Sequence, residues 1–163
     1  MKNILLILFS LFFLSSCGRK TNSSNGNYFN CRVNGIYWEP DKGGLGEYTL
    51  TAKLLYNQTV LSIDAVKGIE DINIGIIDTL QVEERTYSLA QNLAYHSAAL
   101  YDNNNSTNQY ETDSSHQGLL TLTKLDKTNM KVEGTFHFKA FNSILNDSVN
   151  ITDGRFSIGY TDH

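Results

Sequence analysis

Lys131-Val132-Glu133-Gly134-Thr135-Phe136-His137-Phe138-Lys139-Ala140 alternates without a break. Val132, Gly134, Phe136, Phe138 and Ala140 fall on one side, and Lys131, Glu133, Thr135, His137 and Lys139 on the other. A period of two belongs to an extended strand with one dry and one wet face. Antiparallel sheets are where such one-sided burial is ordinary.

The same period recurs outward from this stretch. Leu120 and Leu122 precede it, and Asp126-Lys127-Thr128-Asn129 supplies the turn. Val149 and Ile151 follow it, run into Asp153-Gly154, and Phe156, Ile158 and Tyr160 carry the pattern on. Upstream, Phe29, Cys31 and Val33 share a face before Asn34-Gly35, a pair that readily adopts the positive φ angles of a type I′ hairpin turn. Tyr48, Leu50, Ala52 and Leu54 alternate, then Leu61, Ile63 and Ala65 after Asn57-Gln58, then Ile72, Ile74 and Ile76. Tyr87 and Leu89 mark a short strand. Leu93 to Tyr101 has the alanines of a helix, but its surroundings favour extension. About ten strands with no helical segment between them predict an all-β fold, a single antiparallel β-sandwich over residues 28–163 after an N-terminal signal helix. A lipocalin-like closed β-barrel is the alternative.

The N-terminus sets the address. Met1-Lys2-Asn3 carries one positive charge and Ile4 to Leu14 is apolar except for Ser10, the order of a signal peptide. Eleven helical residues reach roughly 16 Å, about half of a ~30 Å hydrocarbon core. Leu14-Ser15-Ser16-Cys17 resembles the lipobox of bacterial lipoproteins, which implies cleavage after residue 16 and lipidation of Cys17. Several acyl chains together anchor a protein stably, whereas one holds it marginally. Residues 17–27 then form the lipidated cysteine and a polar, aperiodic tether, with Arg19-Lys20 at its start. Lipoproteins exported to the surface in some Bacteroidota carry acidic residues just after the cysteine, so the facing is left open between periplasm and surface. An outer-membrane, lipid-anchored position in the cell envelope is the expectation.

Without residues 1–16, 147 of the 163 residues remain, enough for one domain with a core. That part has 12 basic and 17 acidic residues, a net charge of −5. Mild acidity without a basic stripe argues against nucleic acid as a partner. Of two cysteines, one is committed to lipid, so Cys31 has no intrachain partner. On an apolar strand face it reads as a buried, inert thiol.

No residue set points to catalysis, a cofactor or a metal. Trp38 reads as a core or rim plug, with a sugar-stacking platform as the other use of its flat face. Asp41-Lys42-Gly43-Gly44-Leu45-Gly46 lacks the Gly-Lys-Ser/Thr and the helix of a phosphate-binding loop. The polar run from Asp102 to Tyr110 reads as a solvated surface connection, with a ligand loop as the other use, in which Asn103 and Asn105 present amides to hydroxyls between Tyr101 and Tyr110. A calcium loop starting at Asp102 is disfavoured by Thr107 at the sixth position, where glycine is needed. His96, His116, His137 and His163 show no zinc spacing. Glu70-Asp71 and Glu83-Glu84 are neighbours in extended chain, pointing apart, and read as solubilising strand-end charges rather than a glycosidase pair.

Cys31-Arg32-Val33-Asn34-Gly35 leading to Trp38, Gly118 before Leu120-Thr121-Leu122, Gly134-Thr135-Phe136-His137-Phe138, and Val149-Asn150-Ile151-Thr152-Asp153-Gly154-Arg155-Phe156 are together similar to an uncharacterised family of small Bacteroidota lipoproteins, a domain of unknown function. The resemblance implies a fold and carries no catalytic residue. The functional expectation is a non-catalytic module, anchored to the membrane through Cys17, that binds a glycan, a peptide or an envelope protein. A small hydrolase of envelope or dietary glycans and a structural or assembly factor are the alternatives.

The mature protein should begin at Cys17 and weigh more than its peptide by the attached lipid. Asp78-Thr79-Leu80 and Asp147-Ser148-Val149 resemble short O-glycosylation sites, which would add a further excess. An intact mass equal to peptide plus lipid removes that modification.

Overall fold

The computed structural model describes residues 26–43, 49–90, 97–103 and 109–162; Cys17 and the stretches expected to form the signal helix and the tether through residue 25 lie outside them. The described residues form strands and turns only. In chain order the strands are β1 (Tyr28–Val33), β2 (Ile36–Trp38), β3 (Leu50–Leu55), β4 (Val60–Lys67), β5 (Glu70–Ile77), β6 (Thr86–Leu89), β7 (Ala98–Asp102), β8 (Gln109–Glu111), β9 (Gly118–Asp126), β10 (Lys131–Asn142), β11 (Asp147–Gly159) and β12 (Thr161–Asp162).

All twelve belong to one hydrogen-bonded sheet, β12-β3-β4-β5-β7-β8-β10-β11-β1-β2, with β9 also on β10 and β6 on β9. The pairings are antiparallel except β12 with β3. The sheet branches at β10. Its first eight residues pair with β9, Phe141 pairs with Glu111 of β8, and β11 lines the other edge. The two limbs face one another across a single core, an arrangement like a sandwich and not a closed barrel.

The alternation read from β10 holds: Val132, Gly134, Phe136, Phe138 and Ala140 are buried and Thr135, His137 and Lys139 exposed. The inward rows of β4, β5, β9 and β11 are buried as expected. Asn34 and Gly35 take φ of 50° and 83° and join Val33 to Ile36, as a type I′ turn requires. Two features differ from the reading. Asp153-Gly154 does not interrupt a strand; it is a β-bulge inside β11, with Thr152 and Asp153 both outward and Asp153 at φ 55°. The extra residue restores the phase, so Ile151 and Gly154 both face the core. Short β8 and β12, three and two residues long, lie in polar sequence and carry no legible period.

Glycines at the centre of the sheet make room for phenylalanines. Gly134 lies opposite Phe156, Phe136 opposite Gly154, and Phe138 opposite Gly118. A Cβ at Gly134 would lie 2.7 Å from Phe156 Cζ, and one at Gly154 2.6 Å from Phe136 Cδ2. The rings therefore occupy the space that side chains at these positions would fill. Phe136 then packs on Phe29 of β1 at 4.8 Å between ring centroids.

The connections define two ends. Where β1 begins lie the β3–β4 turn, the segment before β6, the β9–β10 turn and the β11–β12 junction. The β1–β2, β4–β5 and β10–β11 turns point the opposite way.

Gly134→Ala or Gly154→Ala should each destabilise the domain by about 2 kcal/mol or more, because the neighbours are backbone and packed rings that cannot yield. Gly75→Ala in β5, with nothing within 4 Å of its added Cβ, serves as the control and should be neutral or stabilising. Equilibrium denaturation of the three variants measures the contrast.

Candidate functional site

Trp38, Tyr101 and Tyr110, far apart in sequence, meet around one carboxylate. Trp38 ends β2 with its ring edge-on to Phe29, 6.0 Å between centroids, and its Nε1–H donates to Glu70 Oε2 at 2.6 Å. Glu70 opens β5 and also accepts from the Tyr101 hydroxyl. Tyr101 faces Tyr110 directly across β7 and β8, ring centroids 6.1 Å apart. Burial, with the Glu70 charge beside it, pushes the Tyr101 phenol up to about 12. Burial likewise takes the Cys31 thiol to about 12, which keeps it an inert core group.

The rings point inward. Trp38 is 2% exposed, Tyr101 6% and Tyr110 7%, so their faces are committed to packing and offer no stacking surface to a sugar. That is the plug reading of Trp38, and it corrects the picture of two tyrosines flanking an open ligand loop. Alternation is the reason: as direct partners in β7 and β8, both residues sit on the inward row. Asn103 follows β7, and its buried Oδ1 has no hydrogen-bond partner among the described residues. Asn105, like Cys17, lies outside the described residues. A calcium loop from Asp102 to Asp113 does not fit, because Gln109–Glu111 is strand β8 with Tyr110 in the core.

Glu70 is the residue that sequence reasoning misassigned. It is not a solvated strand-end charge but the acceptor that ties β2, β5 and β7 together. Its neighbour Asp71 stands directly opposite Asp102, and burial and that like charge raise its carboxyl. Asp41 straps the same region: its Oδ2 accepts from Gly68 N at 2.6 Å and its own N–H donates to Val66 O at 3.0 Å. His116 stacks on Phe141 at 4.7 Å and pairs with Asp113, whereas His137 is exposed on β10; His96 and His163 lie outside the described residues. Among the described residues no group of three or more His, Cys, Asp or Glu is placed to hold a metal.

At the opposite end Asp78, almost fully buried, holds the segment before β6. It accepts from the Arg85 guanidinium, from Leu80 N at 3.1 Å and from the Tyr87 hydroxyl at 3.4 Å. Burial raises its carboxyl, but these donors outweigh burial and leave it below the usual carboxylate value. Thr79, the acceptor of the glycosylation pattern, is exposed beside it, and Ser148 is half-buried near the start of β11. Close by, Asn57, Gln58, Gln81 and Asp162 line an open cleft of about 310 Å³, with Gln58 Nε2 donating to Asp162 Oδ2 at 3.0 Å. Such a lining of amides and one carboxylate suits hydroxyls, amines and polar head groups.

Residues 46–158 match a family described as "Domain of unknown function (DUF6252)". No curated protein and no solved structure matches the chain.

Asp78→Asn should lower stability near neutral pH by about 1–2 kcal/mol, discounted because Arg85 is largely exposed. A carboxyl held below its ordinary value stabilises above the unfolded-state value and loses that contribution as pH falls through the folded-state one. The gap in Tm between the parent and Asp78→Asn should therefore close in acid. A gap that persists in acid strong enough to protonate Asp78 in the folded state assigns the effect to packing rather than charge.

Proposed function

The chain belongs to the DUF6252 family of domains of unknown function, and we propose that it is a lipid-anchored, non-catalytic binding module of the outer membrane whose ligand is a peptide or an envelope protein. The lipobox-like Leu14-Ser15-Ser16-Cys17 supports the anchor. The ligand class rests on one observation. Each of the three hairpins pointing away from the tether carries an exposed branched aliphatic at or beside its turn: Ile36 at 74% exposure, Ile69 at 64% and Ile144 at 71%. Turn positions ordinarily hold Gly, Asn, Asp, Ser or Pro. Those residues are present here too, as Asn34-Gly35, Gly68 and Asn146, and the isoleucines stand beside them.

Aliphatic tips suit a protein surface. A sugar asks for flat aromatic faces and hydrogen-bonding side chains; Trp38, Tyr101 and Tyr110 are turned inward, and the exposed ring beside Ile36, that of Tyr37, has its hydroxyl engaged with Glu39. The carboxylates are spent on structure: Glu70 holds Trp38 and Tyr101, and Asp41 holds the β4–β5 turn. That use favours a rigid display over a reactive pocket.

A photoreactive residue at position 69 of the full-length protein, in living cells, should give discrete protein adducts that Ile36→Ser with Ile144→Ser weakens. The serines sit at exposed sites and should change stability by no more than about 0.5 kcal/mol each. Adducts indifferent to the serines, or none at all, overturn the protein-binding reading. Protease added to intact cells decides the facing: digestion means surface display, and protection a periplasmic position.

A further inference from the structure

The end of the domain where β1 begins has its own exposed apolar groups, and a series of hydrogen bonds ties them into one surface. Gly159 N donates to Asn27 Oδ1 at 3.1 Å, and Tyr160 N to Met130 O at 2.8 Å. Lys127 Nζ reaches Gln81 Oε1 at 3.4 Å, Val82 N donates to Gln58 O at 2.8 Å, and Gln58 closes the series on Asp162. On this surface Tyr56 is 73% exposed and Leu80 79%, and Tyr28 and Met130 are exposed as well.

The backbone beneath two of them is strained. Tyr56, Asn57 and Gln58 have φ of 52°, 55° and 68°, and Met130 has φ 50°. A bulky side chain in the left-handed region is uncommon and costly. At the turns of the other end the left-handed positions are Asn34, Gly35, Gly68 and Asn146, the residues that accept this conformation cheaply. Tyrosine and methionine are thus held at the tether side in positions where asparagine or glycine would be more stable. Local strain of this kind points to a use for the side chain.

We propose that this end docks on the lipid surface that holds Cys17, with Tyr28, Tyr56, Leu80 and Met130 entering the head-group region. The inference rests on the reading of Cys17 as the lipidated residue. Distance selects the occupant. Residues 18–27 span at most ~35 Å and average roughly 17 Å as a coil. Residue 27 joins β1 at this end, while β11 alone carries the other end ~40 Å further away. Tyrosine favours the membrane–water interface, and Leu and Met supply apolar area. The polar cleft of Asn57, Gln58, Gln81 and Asp162 lies beside Tyr56 and Leu80, where it meets head groups as the apolar tips enter. Lys127 is exposed on the same edge, with its ammonium beside Gln81.

The test uses the mature protein purified from membranes and reconstituted in phosphatidylethanolamine–phosphatidylglycerol vesicles. An environment-sensitive dye is attached through Leu80→Cys, or through Leu145→Cys on the β10–β11 turn as the opposite-end control. Cys31 is buried and will not label, and both replaced leucines are exposed. Docking is expected to blue-shift the dye at 80, shield it from aqueous iodide and expose it to nitroxide-labelled lipid, with the dye at 145 unchanged. Tyr56→Asn should raise Tm while restoring iodide quenching at 80, since asparagine accepts the left-handed conformation. Intact mass is read on the same sample. Absence of acyl mass on Cys17 overturns the anchor and the docking with it. An acylated protein whose dye at 80 is quenched as strongly as that at 145 overturns the docking alone.

Discussion

The reciprocal pairing of glycine and phenylalanine across β10 and β11 is the constraint on which the remaining structure depends. Gly134 faces Phe156 and Phe136 faces Gly154, so each strand lends a ring to the gap left by the other. Glycine inside a strand is entropically unfavourable and leaves the sheet surface bare. A ring laid over it restores the buried area, as in the aromatic rescue of strand glycines. Phe138 repeats the device over Gly118 of β9. β10 thereby carries three edges of the fold: β9 along most of its length, β8 beyond it, and β11 on the other side. Phe29 rests on Phe136, and Trp38 on Phe29, so the N-terminal hairpin is seated by the same aromatic layer.

Much of this was legible because alternation is local. Inward and outward sides of β4, β5, β9 and β10 follow from residues two apart, and the Asn34-Gly35 turn from the φ preferences of two residues. Long-range pairing is not written in that way. The partner of Gly134 is set by register between strands, and nothing near Gly134 in sequence announces Phe156. The bulge at Asp153 reads as a turn because Asp-Gly favours both. Glu70 reads as a surface charge until β2 and β7 are placed against it. The candidate site shows the same division. Trp38, Tyr101 and Tyr110 were singled out by residue type and do come together, but direction decided their role, and direction depends on which row of a strand they occupy.

The two ends of the domain treat apolar surface differently. Away from the tether, exposed isoleucines stand beside turn residues that suit their conformations. At the tether side, Tyr56 and Met130 occupy the costly conformations themselves. A partner met in solution selects for side chains on turns that already fold well. On the docking proposed above, a surface always present at a height set by ten residues of chain would offset strain in every molecule and permit turns that are poorer on their own.

Both proposed contacts need loops that hold still, and here the acidic side chains matter. Several connections have their own carboxylate or amide acceptor: Asp41 for β4–β5, Asp78 for the segment before β6, Asp126 for the β9–β10 turn and Asn142 for the β10–β11 turn, while Glu84 accepts from Leu125 N of β9. Hydrogen bonds from Asn129 pull Asp126 down to about 2, so that clamp stays ionised through any ordinary pH. A loop ordered before it meets its partner loses little conformational entropy on binding, and that saving does more for affinity than added area. The acidic residues, which on composition alone would be taken for solubilising charge or for catalytic pairs, act as internal struts. They leave the apolar tips as the part of each loop that is free to make contact.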